Sequence, residues 1–294
     1  MARRSMVVVV LLGCLLAHAG CATPIALPEP APVPPTGSPR PSWPAEPPVP
    51  QRGCGWVGAG GTPTATTPPV VDAVIAGDIE RLSDLLKRGA DPNTIDASLS
   101  STPLSIAAQS ACAAAVRLLL DSGADPNLIA QAGEAPLTFA ATFGDIDVVT
   151  MLLAGGADPS KTGGYDRMTP LHAAVGVGRA SVVRLMLPHV TDIDAGMVND
   201  ANPLVGEDTG VGTALEFAVG IDEREGYLRL LLEAGATPTI TALYRAVQLG
   251  SAEYVTLLLN AGAPMTLSPN ETRTMAQVAV DFGHAELVRI LEDR

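Results

Sequence analysis

Thr102-Pro103-Leu104-Ser105-Ile106-Ala107-Ala108, then Leu118-Leu119-Leu120, then Gly123-Ala124-Asp125-Pro126-Asn127, is the stretch that decides the fold. The phrase returns at Pro136-Leu137 with Ala140-Ala141, and again at Thr169-Pro170-Leu171-His172 with Ala173-Ala174. The prolines stand at 103, 136 and 170, intervals of 33 and 34 residues. A unit returning at that period is one supersecondary element that buries its apolar face only against its neighbours, so the chain is a tandem stack. Thr169 is an N-cap candidate, and Pro170 falls at the first helical position, where a missing N–H costs nothing. The paired alanines let adjacent helices approach closely, and Leu152-Leu153 and their equivalents fill a continuous core. Gly123, Gly156, Gly235 and Gly262 fall where a helix must end in a left-handed residue.

The T-P-L-H and G-A-D-x-N punctuation at this period resembles the ankyrin-repeat family. The resemblance implies an all-α solenoid of helix-turn-helix repeats linked by β-turns. It also implies that His172 ties neighbouring turns by hydrogen bonds; Ser105, Thr138, Glu216, Tyr244 and Gln277 occupy that place elsewhere. Ankyrin proteins use a concave face made of turn tips and inner helices. Repeat alignment puts Gln131, Glu134, Thr142, Phe143, Asp166, Met168, Val177, Ile221, Gln248 and Leu249 there, several of them able to serve as packing residues at helix ends instead.

Weaker copies extend the pattern. Val70 to Asn93 has Leu85-Leu86 and Gly89-Ala90-Asp91-Pro92-Asn93 but Pro68-Pro69 in place of a full turn, and reads as an N-terminal capping repeat. Thr213-Ala214-Leu215 and Thr241-Ala242-Leu243 keep the helix pair and lose the proline, and Thr274 to Leu291 is the last pair. With caps, about seven helix pairs span residues 70–294, more than such a stack needs.

Residues 1–20 read as a signal peptide. Arg3 and Arg4 precede an apolar run, Met6 to Leu16, that is too short to span a bilayer as a helix. Ala19-Gly20-Cys21 resembles a bacterial lipoprotein box, which implies lipidation of Cys21. Two alternatives are ordinary cleavage after Ala19 and use of Cys14. Residues 21–69 hold more than half of the 26 prolines and read as a disordered Pro/Gly-rich tether. At about 3.1 Å per residue in its proline-rich part, it reaches on the order of 100 Å.

The formal net charge is −13, and loss of Arg3 and Arg4 with the signal makes it more negative still. Phosphate backbones are bound by Lys and Arg, so nucleic acid is excluded as a partner, and a membrane is expected to be met only through a lipid. Cys54 in the leader and Cys112 at the start of a repeat helix remain after processing. The simpler reading makes Cys112 a small helix residue and Cys54 a free thiol; the alternative is a disulfide folding the leader back onto the first full repeat. No catalytic, metal or cofactor motif is present. His172, His189 and His284 share no helix face, and neither a nucleophile elbow nor a P-loop occurs. Asn270-Glu271-Thr272 matches a glycosylation sequon at chance level.

One departure stands out. Leu171 to Leu215 is a step of 44, so about eleven residues are inserted near 190–212, and the next step, to Leu243, is only 28. The segment carries Asp192, Asp194, Asp200, Glu207 and Asp208 with no Lys or Arg. It reads as an acidic loop, either a recognition element for a basic partner, a weak Ca²⁺ site, or simply solvated. The shortened next repeat predicts a local irregularity. Together these features lead to the expectation of a monomeric, non-catalytic protein-binding module without cofactor, lipid-anchored on the periplasmic side of a bacterial envelope or else soluble there. An inhibitor or immunity protein against a toxin or hydrolase is the first alternative, and an enzyme or metal site in the insertion a remote second.

Overall fold

The computed structural model describes residues 54–55, 67–130, 133–143, 145–163, 168–198, 211–219, 225–267 and 274–293. These form seven helix pairs: α1 (Pro69–Ala76) with α2 (Ile79–Lys87), α3 (Pro103–Gln109) with α4 (Ala113–Asp121), α5 (Pro136–Phe143) with α6 (Ile146–Ala154), and α7 (Pro170–Val177) with α8 (Ala180–Met186). After the insertion follow α9 (Ala214–Val219) with α10 (Glu225–Glu233), α11 (Ile240–Leu249) with α12 (Ala252–Asn260), and α13 (Met275–Asp281) with α14 (Ala285–Glu292). The Cys21 lipidation site and the glycosylation sequon lie outside the described residues.

The odd-numbered helices pack on one another in an unbroken inner layer from α1 to α13. The even-numbered helices form an outer layer whose α8-to-α10 step packs less closely than the others. The irregularity expected from the short step after the insertion is located at this joint. Within each pair the alanines Ala107-Ala108, Ala140-Ala141 and Ala173-Ala174 are fully buried, so neighbouring inner helices touch almost backbone to backbone. Leu104, Leu119, Leu137, Leu152, Leu215, Leu231 and Leu243 fill the seam between layers.

Capping fixes where each helix starts. Thr102, Thr169, Thr213 and Thr274 each accept a hydrogen bond from the backbone N–H three residues on, satisfying one of the donors a helix start leaves unpaired. Gln277 returns a bond to the Thr274 N–H, completing a capping box. The sixth pair departs from its phrase: the cap is Thr239, two residues before Thr241, and α11 grows to ten residues. That extension takes up the shortened turn that the 28-residue step predicts. The four predicted helix-ending glycines have φ between 86° and 94°. Ala111 holds the left-handed place at the α3–α4 turn that Gly77, Gly178, Gly250 and Gly283 hold in other pairs, at φ 52°.

The reading of Cys54 and Cys112 as free thiols is corrected. They form a disulfide with a Cα–Cα distance of 4.8 Å, within the range such bonds require. Cys112 is the N-cap of α4, directly after Ala111. The equivalent place in later pairs also ties backward: the Arg179 guanidinium donates to the Phe143 carbonyl at 3.2 Å, and His284 Nε2 bonds the Gln248 carbonyl at 3.1 Å. In the second pair this backward tie is covalent and holds a leader residue. A Cβ on Gly77 would lie 1.4 Å from the Cys54 carbonyl oxygen, so the strap crosses the α1–α2 turn where only glycine fits.

Candidate functional site

Two ladders hold the edge of the stack that bears the turns. The first runs through the G-A-D-P-N phrases. Asn93 accepts from the Asp125 N–H at 2.7 Å and donates to the Gly123 carbonyl, and Asn127 repeats this with the Asp158 N–H at 2.8 Å and the Gly156 carbonyl. Ser160 then accepts from the Asp192 N–H at 3.0 Å. Asp194 accepts from both the Thr237 N–H at 3.0 Å and its hydroxyl at 2.6 Å. Asp192 and Asp194 are therefore the fourth pair's versions of the D-P-N residues, Asp192 joining the ladder through its backbone N–H while its side chain stays exposed, and Asp194 through its carboxylate. The sequence Thr191-Asp192-Ile193-Asp194 concealed this because neither its glycine nor its proline survives.

The second ladder uses the place of His172. Its Nε2 donates to the Gly212 carbonyl at 2.9 Å in the next repeat, which fixes the tautomer and leaves Nδ1 to accept from the Thr169 hydroxyl at 2.6 Å. The predicted tie between turns is present. Glu216 makes the same step by accepting from the Thr239 hydroxyl, and Ser105 reaches the Glu134 carbonyl at 3.4 Å. Tyr244 instead meets Phe282 edge to face, ring centroids 6.3 Å apart.

Burial pushes the His172 pKa down to about 4, against the smaller opposing effect of its bonds to the next turn. The neutral ring is the folded form, so its stabilisation is whole above about pH 6.5 and is lost as pH falls toward about 4, a span worth about 3 kcal/mol. Wild type should lose unfolding free energy across this window relative to His172→Gln. Parallel pH profiles for the two proteins, followed by urea denaturation, would show that His172 does not titrate with folding.

Two of the turns close on a short antiparallel pairing, Asp96 with Ser101 and Gly163 with Met168, five positions apart. In the fourth turn the equivalent partners are Met197 and Gly212, fifteen apart, and they belong to β1 (Gly196–Val198) and β2 (Val211–Thr213). The insertion thus lengthens a hairpin to about ten residues more than those two turns. It begins after Met197 and not at Val190, and its base is regular where a plain loop was expected. Asp200, Glu207 and Asp208 fall outside the described residues, as do Gln131, Asp166 and Ile221.

The remaining predicted face residues divide. Phe143 is buried, with 8% of its surface exposed, and belongs to the core. It precedes the α5–α6 turn, where Arg179 from the next pair donates to its carbonyl. Thr142 is half-buried and spends its hydroxyl on the Thr138 carbonyl at 2.8 Å. Glu134, Met168, Val177 and Gln248 are half-buried along the turn-and-inner-helix face, and Leu249 is exposed. Sequence alignment missed Val280 and Phe282, both exposed on or just after α13. Their signal was available, since Phe282 stands directly before Gly283 as Leu249 does before Gly250.

Two layers of short helices, with ladders along one edge and hairpins projecting from it, define a helical-repeat scaffold that offers a continuous inner surface. The repeats are ankyrin repeats: residues 70–163 match ankyrin repeats in three copies and residues 166–197 match a single ankyrin repeat. Such repeats are protein-interaction modules. The chain is similar to the crystal structure of the ankyrin repeat domain of Bcl-3, described as a unique member of the IkappaB protein family. The TM-score is 0.59 at 25% identity, covering 75% of this chain and 99% of that one. The human ASB11 ankyrin repeat domain superposes with a TM-score of 0.53 at 23% identity, covering 74% and 98%, and supports the fold alone. An E3 ubiquitin-protein ligase, KEG, of Arabidopsis thaliana is 28% identical over 212 residues; the match covers 66% of this chain and only 12% of that protein's length.

Proposed function

We propose that this chain is a non-catalytic interaction module of a bacterial envelope, anchored by lipid on Cys21 and binding a protein partner through its inner-helix and hairpin face. The observation that carries the reading is the continuous inner layer bearing one hairpin about ten residues longer than the two other paired turns, since recognition concentrates on loops grown from a rigid scaffold. The Cys54–Cys112 disulfide supports an exported site of action, because such bonds persist in oxidising compartments. The formal charge of −13 favours a basic protein partner over nucleic acid. It also supports a second reading, an inhibitor of a basic toxin or hydrolase, which a co-encoded toxin gene would single out. The module acts as a monomer in both.

One experiment tests anchor and recognition together. Cys21→Ser should abolish acyl labelling and release the protein from membranes, while a chain lacking residues 199–210 stays anchored and binds its partner more weakly. Wild-type protein that is soluble and unacylated would overturn the anchor. Partner affinity unchanged by the deletion would remove the hairpin from the interface.

A further inference from the structure

Among the described residues the exposed large apolar side chains are Ile95, Ile146, Leu249, Val280 and Phe282, and three of these five fall in the last two pairs. Leu249 and Phe282 hold the same place in successive pairs, each directly before the left-handed glycine that ends the inner-helix turn. Earlier pairs put Ala76, Ser110, the buried Phe143 and the half-buried Val177 there.

The patch is held rigidly. The edge of Tyr244 supports the Phe282 ring, and a Cβ on Gly250 would meet the His284 ring at 2.5 Å. His284 also bonds the Gln248 carbonyl, so the turn after Leu249 is clamped against the turn after Phe282. Little side-chain freedom remains to be lost when something docks there. Its surroundings are acidic: Asp281 lies between Val280 and Phe282, and Glu253 and Glu286 open α12 and α14 within four residues of Leu249 and Phe282. Of the described arginines at this end, Arg245 is turned to the Glu216 carbonyl, Arg229 stands 3.9 Å from Glu253, and Arg289 lies exposed in the last turn of α14, leaving the carboxylates in the majority.

We infer that Leu249 and Phe282 form an anchor site for a partner-protein segment carrying an aromatic or aliphatic side chain flanked by Lys or Arg. This rests on the interaction-module reading and narrows it to the last two pairs. Two exposed apolar side chains on adjoining, clamped turns offer a place for a partner to dock, and large apolar anchors supply most of the binding energy. The carboxylate rim selects a basic flank and rejects an acidic one. A second copy of this chain would bring the same acidic rim against itself, which is why a separate basic partner is the occupant.

A random peptide library displayed on phage, selected against the full mature chain, tests the site. Enriched peptides should carry an apolar anchor beside Lys or Arg, and their affinity should fall about tenfold in Phe282→Ser and in Leu249→Ser. It should also weaken as salt rises, as screening of the rim requires. Ile146→Ser, an exposed apolar side chain on the outer layer, should leave affinity unchanged, and unaltered melting of the serine variants confirms that folding is intact. Peptides lacking basic residues, or affinity kept in both Phe282→Ser and Leu249→Ser, overturn the anchor site while leaving the interaction module standing. A dimer in sedimentation that Phe282→Ser dissolves makes a second copy the occupant and overturns the proposal too. Failure to enrich any sequence counts against both.

Discussion

Reducing the Cys54–Cys112 bond, or replacing Cys54 with Ser, is expected to destabilise the folded repeats by about 4 kcal/mol. The bond joins residues 58 positions apart, and freeing a loop of that size returns roughly this much conformational entropy to the unfolded chain. For a domain of this length the melting temperature should fall on the order of 10 °C. The effect should begin at the first two pairs, since the strap ties the α1–α2 turn to the start of α4. Melting followed by circular dichroism, with and without reductant, checks it. Cys54→Ser should melt like reduced wild type, and reductant should then do nothing further. Oxidised and reduced protein melting together would mean that the bond does not form.

Leu152→Ala should cost about 2 to 5 kcal/mol. The side chain is wholly buried in α6, between an inner and an outer layer whose members touch only their nearest neighbours, so the cavity has few flexible groups to fill it. Ile146→Ala in the same helix removes a side chain that is 48% exposed and should cost much less. Pro47→Ala, in the proline-rich leader, should be silent. Urea denaturation of the three variants gives the ranking. A Leu152 variant as stable as the Pro47 variant would mean that the repeat register is wrong.

The repeat period, the threonine caps and the paired alanines were legible because each is a local rule repeated several times. Periodicity averages out the exceptions. What stayed hidden depended on contacts across the chain. Spacing could not decide whether Cys54 and Cys112 pair, because that requires knowing that the leader passes over Gly77. Asp192 and Asp194 read as acidic decoration because their phrase had lost its glycine and proline, and only the bonds to Ser160 and Thr237 disclose their place in the ladder. Phe143 looked like a contact residue by alignment, while the same place is open at Leu249 and Phe282. Exposure there depends on how the next pair packs, which no single repeat encodes.

The lengthened fourth hairpin has a consequence for how this chain can diverge. Its base pairs Met197 with Gly212 as Gly163 pairs with Met168, and the Gly212 carbonyl still receives His172. Whatever lies between 199 and 210 is therefore insulated from the register of the helices on either side. Residues can be gained, lost or exchanged there without a compensating change in the scaffold. Selection for a new partner and selection for folding act on different parts of the gene, and the hairpin gives descendants of this chain a place to vary.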